Sequence, residues 1–72
     1  MLSQSQRYFF DVCGPDATCV DRSGTPLPSD SAAIAHAASI VCELKKSGRY
    51  DDPAHIVIVR YLGGEVAFSI PF

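Results

Sequence analysis

HIVIVRYLGGEVAFSIPF, residues 55–72, decides the fold. Two runs rich in β-branched and aromatic residues, His55–Leu62 and Glu65–Phe72, flank Gly63-Gly64. Paired glycines tolerate the positive φ angles of a tight reversal, so the segment reads as a β-hairpin with a two-residue loop. That loop sets the register: Leu62 faces Glu65, Tyr61 faces Val66, Val59 faces Phe68 and Val57 faces Ile70. The second strand alternates Val66, Phe68 and Ile70 against Glu65, Ala67 and Ser69, so the first set lines the core, together with Val57, Val59 and Tyr61.

N-terminal to this hairpin, Ser31–Ser47 carries a helical period. At about 100° per residue, Ala33, Ile34, Ala37, Ile40, Val41 and Leu44 fall on one arc of about 120°. Its alanines permit close approach to a sheet. Ser29 or Asp30 can cap its start, Lys45 and Lys46 suit its negative end, and Gly48 stops it. The polar connection Arg49–Ala54 (RYDDPA) leads on to the hairpin.

Residues 1–6 read as a flexible polar tail, and 7–72 as a single domain. In Arg7–Cys13 (RYFFDVC), Tyr8, Phe10 and Val12 alternate onto one face of a strand. Gly14-Pro15-Asp16 turns the chain and Thr18–Asp21 closes a first hairpin. Residues 23–28 (SGTPLP) hold too much Gly and Pro to be helix or strand. The expected architecture is α+β, in ββαββ order: a four-stranded, largely antiparallel sheet with one helix packed on one face.

One helix covers only one face of such a sheet. The register sends Phe9, Ile56, Ile58, Arg60 and Leu62 to the other, making it more apolar than a solvated antiparallel face usually is. These five residues are the candidate interaction face. The cheapest cover for it in a 72-residue chain is a second copy, and another protein is the alternative.

Composition excludes more than it assigns. A chain this short buries only about 60% of the surface its unfolded form exposes. Hydrophobic content of 47% with 19% charged residues is globular. A net charge of −2 argues against a dedicated nucleic-acid binder. Binding of single strands on the helix-free face, with Phe9 stacking beside Arg7 and Arg60, stays as an alternative. The segment MLSQSQR is no secretory signal and no run reaches membrane-spanning length. With three cysteines, Cys13, Cys19 and Cys42, the expectation is a cytoplasmic chain with reduced thiols that pack as small hydrophobes.

The series Arg7-Tyr8-Phe9-Phe10-Asp11-Val12, then Asp21 and Gly24, then Leu27-Pro28 ahead of an Ala-rich helix, resembles a family of small bacterial domains of unknown function. Members open with an R-Y-F-F type strand and continue through D-x-x-G, L-P and a capped helix. The resemblance spans residues 7–72 and implies no activity, cofactor or catalytic residue. A looser, fold-level likeness links the hairpin and helix to small antitoxin domains that bind a partner.

No chemistry-bearing motif stands against this. His36 and His55 sit in no nucleophile signature. Cysteine and histidine spacings match no zinc site, although Cys13 and Cys19 flank one hairpin and could be neighbours across it. Asp11, Asp16 and Asp21 do not follow the calcium-loop pattern and read as solvated turn and strand-edge residues, with Asp21 bracing a turn toward Gly24. The expectation is a non-catalytic module with no cofactor and no metal.

Overall fold

The computed structural model describes residues 6–15, 18–48 and 54–72. The elements are β1 (Gln6–Cys13), β2 (Thr18–Cys19), β3 (Thr25–Leu27), α1 (Asp30–Lys46), β4 (Ile56–Tyr61) and β5 (Val66–Pro71). All pairings are antiparallel and join the strands in one sheet, in the order β2-β1-β4-β5 with β3 also on β1. This is the α+β architecture that the hydrophobic periods predict. Gln6, expected in the tail, opens β1.

Because β4 already lies along Tyr8–Cys13, β3 must pair with Gln6–Tyr8 from the other side, beside β2. β2 and β3 are therefore two pieces of one edge, interrupted around Asp21. The second strand, expected over Thr18–Asp21, is shorter, and Thr25–Leu27, expected to be neither helix nor strand, forms β3. Pairing with β1 overrides the weak strand propensity of Thr-Pro-Leu, and the strand that was expected to run to Asp21 ends at Cys19.

The core forms where the alternation places it. Tyr8, Phe10, Val57 and Val59 meet Ala33 and Ala37 of the helix, with Val12, Ile40, Val41, Phe68 and Ile70 packed around them. The two fully buried alanines let α1 lie close on the sheet. Ile34, expected in the stripe, is 48% exposed, because the sheet covers a narrower arc than the helix offers. Ser29 caps α1, its side chain accepting from the Ala32 N–H. At the other end the Ser47 hydroxyl donates to the Leu44 carbonyl. Most of the connection to β4 lies outside the described residues, as do residues 1–5, Asp16 and Ala17.

The C-terminal hairpin departs from its expected loop. The Gly64 N–H donates to the Tyr61 carbonyl and the Tyr61 N–H to the Glu65 carbonyl, which leaves a three-residue loop, Leu62–Gly64. Gly64 supplies the positive φ, +94°, that such a loop needs at its last position. The pairings Val57 with Ile70 and Val59 with Phe68 form as expected. A bulge then shifts the register, so Arg60 pairs with Val66 and Ala67 is the extra residue. Tyr61 consequently faces Glu65 and not Val66, and Val66, expected in the core, is 61% exposed.

Candidate interaction face

The side of the sheet away from α1 carries Phe9 and Asp11 from β1 and Ile56, Ile58 and Arg60 from β4. Phe9 stands opposite Arg60, Asp11 opposite Ile58 and Cys13 opposite Ile56. Four of the five candidate residues, Phe9, Ile56, Ile58 and Arg60, share this surface and are half-buried there. Leu62 does not join them. It lies in the hairpin loop, 71% exposed, lining a shallow groove with Gln6, Arg7 and Pro26.

Arg60 is held within the chain through its Nε and Nη2. Its Nε–H donates to Asp11 Oδ2 at 2.7 Å and its Nη2 to Asp11 Oδ1 at 3.1 Å, the two-pronged geometry a planar guanidinium favours. Nη2 also donates to the Asp21 carbonyl at 3.3 Å. The guanidinium carbon sits 5.2 Å from the centre of the Phe9 ring, within cation–π range. The Arg60 bond holds the Asp11 carboxyl below its ordinary ionisation range, against the opposing effect of desolvation, and the same bond raises Arg60.

Asp21 completes the arrangement by filling the gap between β2 and β3. Its Oδ2 accepts the Phe10 N–H, and its Oδ1 accepts those of Ser23 and Gly24. The carboxylate thus replaces the strand carbonyl missing from that edge, while the Asp21 N–H donates back to Asp11 Oδ1. Desolvation is the largest influence on Asp21 and opposes ionisation. The amides of Gly24, Phe10 and Ser23 together outweigh it, and the carboxyl ionises below its ordinary range. Reading Asp21 as a turn brace toward Gly24 agrees with this geometry. Solvation of Asp11 does not: it is only 8% exposed. The signal was present in the alternation, which sets Asp11 on the same face as Arg60.

A second polar cluster ties the helix start to the sheet. Tyr8 donates to Asp30 Oδ1 at 2.6 Å and Tyr61 to Oδ2 at 3.0 Å. The hydrogen bond to Asp30, aided by burial, pushes the Tyr8 hydroxyl up to about 12, and the same cause raises Tyr61.

The cysteines carry free thiols, and Cys19 and Cys42 are exposed instead of packed. Cys19 pairs with Val12 and Cys13 with Thr18, so the two lie on opposite faces of the sheet and do not meet across the hairpin. His36 rests edge-on against the Phe10 ring, and His55 lies tilted against Phe72. Among the described residues, no three His, Cys, Asp or Glu side chains stand together as metal ligands. Among the described residues, no helix is long and apolar enough to cross a membrane.

Fold and face together describe a small α+β domain whose polar clusters are satisfied within the chain. The chain belongs to the family described as Domain of unknown function (DUF6894), whose model matches residues 7–72. No curated protein and no solved structure matches it.

Proposed function

We propose that this domain is a non-catalytic association module that pairs with a second copy of itself through the helix-free sheet face. The observation that carries this reading is the internal neutralisation of Arg60. With its donors on Asp11 and the Asp21 carbonyl and its guanidinium carbon over Phe9, the charge of Arg60 is met within the chain, and Arg7, on the same face by alternation, is drawn off to the Ser23 carbonyl at its rim. What remains apolar is Phe9 on one side of the Asp11–Arg60 pair and Ile58 and Ile56 in successive rows on the other, which suits a protein surface. The same geometry disfavours single-stranded nucleic acid, since a base would have to displace Arg60 from the Phe9 ring. A 72-residue chain gains from burying such a face against its own copy.

The test is solution mass by light scattering across a dilution series, for the parent and for Ile58→Asp. The parent is expected at twice the chain mass and the variant at the chain mass, both with the same circular dichroism spectrum. A parent at the chain mass at every concentration, or a variant that still pairs, refutes the reading.

A further inference from the structure

We infer that both edges of this sheet are closed to strand addition by outward-directed prolines, Pro26 and Pro71, so that a second copy docks face to face and not edge to edge. The closed edges follow from the hydrogen-bond directions alone; the face-to-face mode also rests on the reading just proposed.

Directions alternate along antiparallel strands, so one known bond fixes a whole ladder. In β1 the Phe10 N–H points toward the β2/β3 edge, where it meets Asp21. Gln6, Tyr8 and Val12 point the same way. Tyr8 with Thr25 and Gln6 with Leu27 are then the hydrogen-bonded pairs, and Arg7 with Pro26 is the unbonded pair between them. The Pro26 nitrogen therefore faces away from β1, out of the sheet.

The opposite edge gives the same result independently. The Phe72 N–H donates to the His55 carbonyl, which makes the next pair, Ile56 with Pro71, an unbonded one. The Pro71 nitrogen also faces outward. In both places proline costs the sheet no internal bond, yet it removes the donor that an incoming strand would need. Each edge carries a second interruption: the Asp21 break between β2 and β3 on one side, and the bulge at Ala67 on the other. Ser69, between the bulge and Pro71, is the one β5 residue on a regular stretch of ladder that turns both its N–H and its C=O outward.

The test restores the missing donors. Pro26→Thr and Pro71→Thr, singly and together, are made in the parent and in Ile58→Asp, with the Ala substitutions as smaller replacements. In dilute Ile58→Asp, the new amides at 26 and 71 are expected to exchange at the rate of an unstructured peptide, while those of Ile70 and Phe72 stay protected. The double Thr variant is expected to form concentration-dependent species larger than twice the chain mass, and these persist with Ile58→Asp. Protection of the new amides in the dilute protein overturns the outward placement. A double variant with parental mass at every concentration overturns the closure of the edges. Failure of the face reading shows separately, as Ile58→Asp without Thr leaving the parental mass unchanged.

Discussion

Asp11 and Arg60, 49 positions apart in the chain, meet on the diagonal between β1 and β4 through two hydrogen bonds of 2.7 and 3.1 Å. They join the first strand to the C-terminal hairpin on the side that α1 does not cover. The geometry depends on a planar fork, which a lysine cannot reproduce. Arg60→Lys is therefore expected to lower the urea midpoint although charge is kept. Asp11→Ala is expected to lower it further, by stranding the guanidinium at the centre of the face. A double-mutant cycle with Arg60→Ala measures the coupling; strictly additive midpoints would show that the pair contributes nothing.

Asp21 acts as an inserted piece of strand, so its loss is an edge defect and not a surface change. Asp21→Ala leaves the amides of Phe10, Ser23 and Gly24 without their acceptor. The expected cost is about 2 kcal/mol, within the range for removing one partner from part-buried hydrogen bonds. Chemical denaturation checks it, and faster exchange of the Phe10 amide locates the defect at this edge.

Gly24 and Gly64 both adopt positive φ, +75° and +94°, but their surroundings differ. A Cβ on Gly24 would lie 2.7 Å from Arg7 Cγ and 3.0 Å from the Tyr8 carbonyl, whereas one on Gly64 meets nothing within 4 Å. Gly64→Ala is expected to cost about 1 kcal/mol, the backbone penalty alone. Gly24→Ala is expected to cost clearly more, because the β1 backbone cannot move aside. Equal unfolding midpoints for the two variants would contradict the close approach.

These residues also show what the sequence could and could not reveal. Val57, Val59, Phe68 and Ile70 alternate with period two and Ala33 and Ala37 fall on a helical arc, so sheet, helix and core were legible from periodicity. Val66 was misplaced because a bulge inserts a residue without leaving a mark in the hydrophobic pattern, and every position between it and the loop shifts. β3 is not legible because the central Pro26, with Gly24 and Pro28 on either side, argues against a strand, and the segment is held by its partner β1. On the candidate face, Phe9, Ile56, Ile58 and Arg60 were recoverable from parity. Leu62 was not, since its position depends on whether the loop has two residues or three. The role of Asp21 is a long-range substitution for a backbone carbonyl, and no local spacing encodes that.

Ala37 tests the helix–sheet distance. It is fully buried, while its neighbour Ala38 is exposed. Ala37→Leu is expected to destabilise by about 1–3 kcal/mol through overpacking, and Ala38→Leu to stay within about 0.5 kcal/mol of the parent. Urea unfolding of the two variants separates a close-packed helix from a loosely docked one, which would tolerate both.

The titrating groups bound stability at both ends of the pH scale, and the signs differ. Asp11 and Asp21 ionise below the ordinary carboxyl value of 3.8 in the folded chain. Their contribution is thus complete above that value and disappears as pH falls through their lower folded values. Tyr8 is raised from 10.0 to about 12, so its contribution is complete below pH 10 and is lost as pH climbs from 10 toward 12. Melting temperature against pH is expected to fall on both sides of a broad plateau. Tyr8→Phe lowers the plateau, because the bond to Asp30 is gone, and reduces the alkaline fall between pH 10 and 12, to which Tyr61 still contributes in the same direction. An alkaline limb identical in Tyr8→Phe and the parent would remove Tyr8 from the account.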